Sequence, residues 1–326
     1  MRDRHMTRGP GDPRQGELTM MGIPVRIVAD RGPLLRAALA ACANWESTPG
    51  AGSPAPLTIR LETSVAPAAA RDDSHCEVRV EGSRLRLDGV GIQGEADAAR
   101  REAWATVPTG LIDDPARLEE VLDTLALFLL TRSGRIPLHA ASIVFGDTAI
   151  LLAGSSGSGK STLALTADRA GIPVLSEDTV YLQLEPHFRI WGSPRPVHLL
   201  PDDLPIEGRS AAPDDAPLRH RNGRWKVALP VGTGTRTGRS AGRAVLCLLE
   251  RGEQVALRPL DPARAVERVM STLDPGFDHF RTELPGVLEA VTAGGAWTLT
   301  LATASNRRNP DGPRTAITLL QRQFAR

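Results

Sequence analysis

One stretch of the sequence has the glycine, lysine and serine spacing of a loop that binds nucleotide phosphates. It satisfies the pattern G-x-x-x-x-G-K-[ST], with Gly154 and Gly159 followed directly by Lys160 and Ser161. Glycines allow the backbone to curl so that successive N–H groups face one anion. An apolar strand is predicted before the loop and a helix after it, which is the setting that this motif requires. The predicted nucleotide-binding residues are Gly154, Ser155, Ser156, Gly157, Ser158, Gly159, Lys160, Ser161 and Thr162.

Two side chains of this loop have distinct expected roles. Lys160 supplies a mobile cation for the β- and γ-phosphates, and the hydroxyl of Ser161 is the expected ligand of Mg²⁺. The helix that follows adds the partial positive charge of its N-terminus. A glycine- and serine-rich turn with a chance lysine is the structural alternative, and both flanking elements argue against it. The sequence therefore predicts that a nucleoside triphosphate binds here together with Mg²⁺.

An acidic pair, Glu177-Asp178, follows the predicted loop after one helix and one short strand. Asp178 lies only 18 residues after Lys160, so this one helix and one strand return the carboxylates toward the phosphates without the additional strand that intervenes in many P-loop NTPases. Two adjacent carboxylates can divide the work, because one can hold Mg²⁺ while the other accepts a proton from an attacking hydroxyl. An acidic turn between two strands is the structural alternative, which a neighbouring phosphate loop disfavours.

Four segments around these motifs carry a resemblance to a known family. They are Leu138-His139-Ala140-Ala141-Ser142, the strand–loop–helix unit just described, the run from Gly171 to Val180, and Gly192-Ser193-Pro194. They resemble the catalytic core of HPr kinase/phosphorylase. They are even more similar to its shorter relatives found beside peptide-modification genes, which include lasso-peptide kinases. The resemblance covers residues 138 to about 200 and extends more weakly to 273.

This resemblance implies a fold related to phosphoenolpyruvate carboxykinase and an enzyme that uses ATP and Mg²⁺ to phosphorylate a serine hydroxyl. His139 matches a histidine that precedes the loop strand in the family and lies near the transferred phosphate. Lys160 is the catalytic lysine by position, and Ser161 and Asp178 are the expected metal ligands. The family's first paired aspartate is the catalytic base, but here that position is Glu177. The base is therefore either Glu177 or Asp178.

The expected fold class is α/β, or α+β overall, with a P-loop kinase core of the HPr kinase/phosphoenolpyruvate carboxykinase type and a small N-terminal α+β domain. We predict a disordered tail over residues 1–20, the N-terminal domain over 21–134 and the catalytic domain over 135–326. Within the catalytic domain, 193–240 is rich in Pro, Gly, Asp and Arg, which is typical of a lid or a substrate loop.

Local patterns predict several elements in these domains. Apolar residues at helical spacing indicate a helix from Asp114 to Thr131, and another is expected from Lys160 to Ala170. Alternating residues around Glu81-Gly82-Ser83 indicate a hairpin. A second hairpin is expected from the strand-like runs Ala244 to Glu250 and Gln254 to Arg258.

Two basic residues in the predicted lid are candidate contacts to phosphate or substrate. Arg195 follows Gly192-Ser193-Pro194, and Lys226 lies in Arg224-Trp225-Lys226-Val227. A cation in a closing loop can stabilise a transferring phosphoryl group. An ordinary solvated loop charge is the structural alternative for each residue, and it is the usual one for a basic loop residue such as Lys226.

Composition excludes several classes of protein. The formal net charge is +1, from 39 basic and 38 acidic residues, and only 4% of the residues are aromatic. Such a chain has neither the basic surface nor the aromatic platforms of a nucleic-acid-binding protein, and no charge that attracts it to an anionic membrane. Its 3 cysteines have no metal or disulfide spacing. With no signal peptide or membrane-spanning run, a cytoplasmic protein is expected.

Three functional hypotheses remain. The first is a kinase acting on a hydroxyl, expected to be serine, of a peptide or protein, or on the hydroxyl of a small molecule. The second is a P-loop ATPase that works as a switch or assembly factor; the N-K-x-D motif of GTPases and the L-S-G-G-Q motif of transporters are absent from the sequence. The third is a regulatory protein that binds nucleotide without turnover. The bifunctional relatives are hexamers, but this chain lacks their N-terminal domain, so a homo-oligomer is left open.

Overall fold

The computed structural model describes residues 14–45, 55–64, 76–192, 197–199, 218–221, 224–229, 240–273, 277–302 and 311–325. The chain divides into two compact units, Met1–Ser133 and Gly134–Arg326. Both units combine helices with a mixed sheet, so the mixed α and β class expected from the sequence is confirmed. Across these ranges, none of the helices has the length and apolar character needed to cross a membrane.

The first unit is a seven-stranded sheet with two helices that pack against it and against each other. The strand order is β1-β2-β3-β7-β6-β5-β4, in which the β2–β3 and β3–β7 pairs are parallel and the other pairs antiparallel. The elements are β1 (Arg14–Met20), β2 (Ile23–Ala29), α1 (Gly32–Cys42), β3 (Leu57–Ser64), β4 (Glu77–Glu81), β5 (Arg84–Gly89), β6 (Ile92–Asp97), β7 (Glu102–Pro108) and α2 (Pro115–Thr131).

Local sequence explains much of this unit. The Asp114 side chain accepts a hydrogen bond from the Arg117 backbone N–H, and Pro115 occupies the first turn, so α2 begins where the sequence predicts. The predicted hairpin is also confirmed as β4 and β5. The structure differs at the N-terminus, where β1 replaces part of the expected tail. Apart from Leu18 and the buried Met20 that strand is polar, and it pairs antiparallel with β2. Backbone hydrogen bonds therefore contribute to an order that the sequence pattern does not predict.

The second unit is built on a nine-stranded sheet. Its order is β16-β12-β11-β8-β9-β17-β19-β18, and β10 pairs with β8 beside this path. A three-stranded sheet has the order β13-β15-β14. The strands are β8 (Ile136–Phe145), β9 (Thr148–Ala153), β10 (Val174–Ser176), β11 (Thr179–Gln183), β12 (Arg189–Trp191), β13 (Val197–Leu199), β14 (Leu218–Arg221), β15 (Arg224–Leu229), β16 (Ser240–Ala241), β17 (Arg243–Gly252), β18 (Ala256–Leu260) and β19 (Ala296–Ala302). The helices are α3 (Lys160–Arg169), α4 (Pro262–Ser271), α5 (Leu284–Thr292) and α6 (Asp311–Phe324).

Helices cover both faces of the large sheet. Buried residues of α3 and α6 form one core with β9 and β17, and buried residues of α4 and α5 form a second core on the opposite face. Along β9, Ile150 and Leu152 belong to the first core, whereas Leu151 and Ala153 belong to the second. Because β9 is buried on both faces, its sequence is a continuous apolar run that leads straight into the phosphate loop.

The second predicted hairpin is wrong. β17 pairs in parallel with β9 and with β19, while β18 pairs with β19 instead of β17. From Ala244 to Leu248 every residue of β17 is buried, so this strand lies inside the sheet with a neighbour on each side. β18 has no fully buried residue, as suits a strand at the sheet edge. A late strand, β19, is therefore inserted between two strands that are adjacent in sequence.

The predicted lid lies largely outside the described residues. The part within them forms strands β13, β14, β15 and the short β16, so it has more regular structure than expected. Lys226 is in β15 opposite Arg219 of β14, and Arg195 falls outside the described ranges.

Candidate functional site

The predicted phosphate loop connects the end of β9 at Ala153 to the start of α3 at Lys160. Gly157 and Gly159 have φ angles of +77° and +113°, a region that L side chains rarely adopt. A Cβ atom on Gly159 would lie 2.9 Å from Leu301 Cδ1 on β19. Glycine is therefore required there both by the backbone conformation and by the packing of the neighbouring strand.

Lys160 places a buried cation within this loop. Its Nζ donates hydrogen bonds to the backbone carbonyls of Gly154 at 2.7 Å and Ser155 at 3.2 Å. The same residue begins α3, where the first N–H groups of a helix have no intrahelical partner and carry partial positive charge. Ser158 Oγ is buried, with no hydrogen-bond partner in the described part of the chain. The loop therefore combines donors and positive charge, as a phosphate site needs.

Ser161 and Glu177 are in direct contact. The Ser161 hydroxyl donates a hydrogen bond to Glu177 Oε2 at 3.0 Å. Ser161 lies in the first turn of α3, and Glu177 lies in the short connection between β10 and β11. The Glu177 side chain is buried, so its carboxylate points into the site and not into solvent. A hydroxyl and a carboxylate oxygen are hard ligands of the kind that Mg²⁺ prefers.

Asp178 takes a different partner. Its Oδ1 lies 3.5 Å from His139 Nδ1, and the residue that follows, Thr179, is the sheet partner of His139. On the other edge of β8, Ala140 pairs with Ala153, which places His139 beside the start of the phosphate loop. The Asp178 side chain is 55% exposed, so this carboxylate remains accessible from solvent.

The structure thus brings together the four residues that the sequence predicts as catalytic. Glu177 and Asp178 both follow β10, yet they turn to different partners, Ser161 on the helix and His139 on the neighbouring strand. The ring of His139 also packs edge-on against Phe277, with 5.8 Å between ring centroids. The pairing of β8 with β9, β10 and β11 is what joins these residues.

Arg251 is a further residue of the site that the sequence interpretation missed. Its guanidinium donates to the backbone carbonyl of Gly157 at 3.0 Å and to that of Ala302 at 3.2 Å. It therefore ties the phosphate loop to the ends of β17 and β19. β17 runs parallel to β9, and ligands in such sheets bind beyond the carboxyl ends of the strands. A charged residue after the apolar run of β17 was thus the available signal.

A cavity of about 140 Å³ opens beside the phosphate loop. Apolar residues of β8, β17 and α4 form most of its wall, and His139, Gly154, Ser155 and Arg268 contribute polar groups. The Arg268 guanidinium forms an ion pair with Glu250. Arg268, paired with Glu250, therefore lines the same cavity as His139.

The site offers only a few protein side chains that could bind a metal ion. Among the described residues, no group of three or more His, Cys, Asp or Glu side chains is arranged to hold a metal ion. Mg²⁺ commonly uses only one or two carboxylates and completes its coordination with substrate phosphates and water. Ser161 with Glu177 fits that donor set, whereas the sequence had paired Ser161 with Asp178.

Neither Arg195 nor the side chain of Lys226 lies in the described part of the site.

Comparison with protein-family models gives no match to this sequence, and comparison with curated proteins gives none. Among solved structures, the chain is similar to the Hpr(Ser) kinase/phosphatase from Coxiella burnetii. The TM-score is 0.27 at 11% sequence identity, and the match covers 57% of this chain and 89% of that one. The function is therefore inferred from the geometry of the site.

Proposed function

We propose that the chain is an ATP- and Mg²⁺-dependent kinase that transfers the γ-phosphoryl group to a hydroxyl, a serine of a peptide or protein. The observation that carries this proposal is the division of the adjacent carboxylates, with Glu177 on Ser161 at 3.0 Å and Asp178 beside His139 at 3.5 Å. A site that only binds nucleotide and Mg²⁺ needs the contact between Glu177 and Ser161. A site that also activates an acceptor hydroxyl needs a second, accessible carboxylate.

The phosphate loop and Lys160 hold the nucleotide in this proposal. On binding, the Lys160 ammonium exchanges its contacts with the Gly154 and Ser155 carbonyls for the β- and γ-phosphate oxygens. The backbone N–H groups at the start of α3 face the same phosphates. Because Lys160 is buried, its attraction to the phosphates is less screened than that of a surface lysine.

Ser161 and Glu177 would hold the metal. Bound Mg²⁺ supplies positive charge that neutralises the phosphate oxygens as the phosphoryl group transfers. Glu177 is buried and fixed by the Ser161 hydroxyl, so it is poorly placed to follow a mobile acceptor proton. This assignment gives Glu177 the role of metal ligand.

Asp178 is then the base. The acceptor oxygen forms a bond to the γ-phosphorus, the bond from that phosphorus to the ADP oxygen breaks, and the hydroxyl proton passes to Asp178. The exposure of Asp178 allows a polypeptide hydroxyl to approach it, and His139 orients the carboxylate from the adjacent strand. The family resemblance would place the base at Glu177, the first carboxylate. In this proposal the two roles are exchanged, so that Glu177 binds the metal and Asp178 is the base.

Two alternatives have their own supporting observations. Water can reach Asp178 as readily as a peptide can, which favours an ATPase that works as a switch or assembly factor. The cavity beside His139 has room for a small molecule, which favours a small-molecule kinase.

Incubation with γ-labelled ATP and Mg²⁺, in the presence of fractionated protein and small-molecule extracts, tests the proposal. We expect label on a protein or peptide fraction that is lost in Lys160→Ala and Asp178→Asn but retained in the surface control Arg36→Ala. Release of labelled phosphate with no labelled acceptor would favour the ATPase, and label confined to small molecules would favour the small-molecule kinase. Binding of ATP without any turnover would overturn all three.

A further inference from the structure

A groove in the first unit lies between helix α2 and the β4 end of the sheet. Val78 of β4 and Leu87 of β5 form its apolar floor, and Arg117, Glu120 and Thr124 line it along the helix. The groove belongs entirely to the first unit, and no part of the phosphate site contributes to it.

Arg117 places a buried cation in this groove. Its side chain is only 8% exposed, yet Nε and Nη2 have no hydrogen-bond partner in the described ranges. Glu120, one turn further along α2, also lines the groove but does not satisfy these two donors. An unsatisfied buried charged donor is costly, and an arginine presents its donors in a fork that matches a carboxylate. The groove is therefore complementary to an anion.

The adjacent sheet edge is also incomplete. β4 ends the strand order, so its outer edge has no neighbour among the described strands. Val78 and Val80 are 46% and 37% exposed, although they pair with the buried Leu87 and Leu85 on the same face of the sheet. The apolar face thus continues beyond the part that α2 covers. Exposed apolar residues on an unpaired edge are features that proteins normally avoid.

We propose that this groove binds an extended peptide segment that adds a strand beside β4 and places a carboxylate against Arg117. The backbone of β4 supplies the hydrogen-bonding edge, and Val78 and Val80 contact alternate side chains of the added strand. The Arg117 fork selects a carboxylate at one position. This site does not rest on the proposed kinase function.

The charges around Cys76, which also lines the groove, fit this arrangement. Burial raises the pKa of the Cys76 thiol, Glu120 raises it further, and Arg117 lowers it. The charges of Glu120 and Arg117 therefore both influence the part of the groove around Cys76. Glu120 opposes additional negative charge, so one carboxylate per segment is expected and a highly acidic segment is disfavoured.

Binding of synthetic peptides to the full chain tests this proposal. The probes are two fluorescein-labelled pools of seven-residue peptides, with Val and Thr in random order around a central glutamate in one pool and glutamine in the other. By fluorescence polarisation we expect the glutamate pool to bind about tenfold more tightly, as one charge-assisted pair would give. Arg117→Met should abolish that difference, and Arg117→Lys should retain only part of it because the ammonium has no fork. Arg36→Met removes an exposed charge on α1 and should leave the difference between the two pools unchanged.

A second variant and a stability measurement separate binding from folding. Val80→Lys should weaken both pools equally, because it blocks the edge without altering the carboxylate site. Arg117→Met should melt at the same temperature as the native chain or higher, since it removes an unsatisfied buried charge. Equal binding of the two pools to the native chain, or no binding of either, would overturn the proposal. Asp72 and Asp73 precede β4 in the sequence. Preference for the glutamate pool only after Asp72→Asn and Asp73→Asn would also overturn the proposal, by showing that carboxylates of the chain itself occupy Arg117.

Discussion

The Ser161 hydroxyl donates to Glu177 Oε2 at 3.0 Å, which joins the first turn of α3 to the connection after β10. The neighbouring carboxylate, Asp178, is directed toward His139 on β8. Adjacent acidic residues, equivalent in the sequence, thus occupy different environments, one buried against the helix and one open to solvent. This difference is the basis of the separate roles that we propose for the two carboxylates.

The separation predicts opposite kinetic signatures for two substitutions. Glu177→Gln should raise the Mg²⁺ concentration needed for half-maximal activity by about tenfold or more, because a charged oxygen ligand is lost. Asp178→Asn should lower kcat by about 10²–10⁴-fold, the usual contribution of a general base, with little change in Mg²⁺ dependence. Steady-state rates across a Mg²⁺ titration measure both. The reverse pattern would assign the metal to Asp178 and the base to Glu177.

Lys160 should be required for nucleotide binding but not for folding. In Lys160→Ala we expect a loss of at least about a hundredfold in kcat/KM for ATP, comparable to the removal of one preorganised charge-stabilising group. The contacts that Lys160 makes to Gly154 and Ser155 are to carbonyls of its own loop, so the melting temperature should change little. Steady-state kinetics at varied ATP concentration and thermal denaturation measure the two effects. A large drop in melting temperature would instead make Lys160 a structural residue.

Arg251 should affect the nucleotide through the shape of the loop. Its two hydrogen bonds to the Gly157 and Ala302 carbonyls are lost in Arg251→Gln, each contributing about 1 kcal/mol. We expect weaker ATP binding with an unchanged Mg²⁺ requirement, because these two hydrogen bonds are made to backbone carbonyls and hold the shape of the loop. Arg36→Gln, at an exposed site on α1, is the matched control. A shifted Mg²⁺ requirement in Arg251→Gln would contradict this role.

Two glycine substitutions should change stability with opposite signs. Gly159→Ala introduces a side chain at φ +113° and 2.9 Å from Leu301 Cδ1, so we expect a loss of about 1–3 kcal/mol in the free energy of unfolding. Gly286→Ala is in α5 with no neighbouring atom within 4 Å, and it should gain about 0.5 kcal/mol. Urea denaturation of both variants measures this. Equal effects would show that the conformation of the phosphate loop is not what requires glycine.

Buried thiols give the protein a defined sensitivity to alkaline pH. Burial raises the pKa of Cys247 to about 12, and burial together with Asp123 and Glu119 raises that of Cys42 to about 12, from an ordinary value of 9.0. Between these pH values the folded chain retains protons that the unfolded chain has released, so the free energy of unfolding should fall as pH rises from 9 toward 12.

Comparison with the variant Cys42→Ala/Cys247→Ala isolates this contribution. The fall in unfolding free energy between pH 8 and pH 10.5 should be smaller in the variant than in the native chain. In the native chain at pH 8, a thiol reagent should modify Cys76, which is partly exposed, well before the two buried cysteines. Rapid modification of Cys247 without unfolding would show that β17 is less protected than its burial indicates.

Elements governed by short-range signals were predictable from the sequence. The capping residue Asp114, with Pro115 after it, predicts the start of α2. The apolar run before Gly154 and the helix-forming run from Lys160 predict β9 and α3 on either side of the glycine-rich loop. The hairpin of β4 and β5 follows from alternation around Gly82. In each case the interacting groups lie within a few residues, so the pattern contains the information needed.

Long-range pairing was not predictable in the same way. β17 and β18 are adjacent in the sequence and were expected to pair, but β19 lies between them because the buried β17 requires a neighbour on each edge. Arg251 was missed for the same reason, since its contact with Gly157 exists only once β17 lies parallel to β9.

The sequence by itself determined that a loop with the phosphate-binding pattern, which includes Lys160 and Ser161, is followed closely by two carboxylates. It did not determine which side chain each carboxylate lies against, because Glu177 and Asp178 are adjacent and chemically alike. Only the tertiary structure decided this, since the pairing of β8 with β11 puts His139 beside Asp178 while the packing of α3 puts Ser161 against Glu177. The direction of a side chain depends on neighbours that are distant along the chain, and local sequence does not specify it.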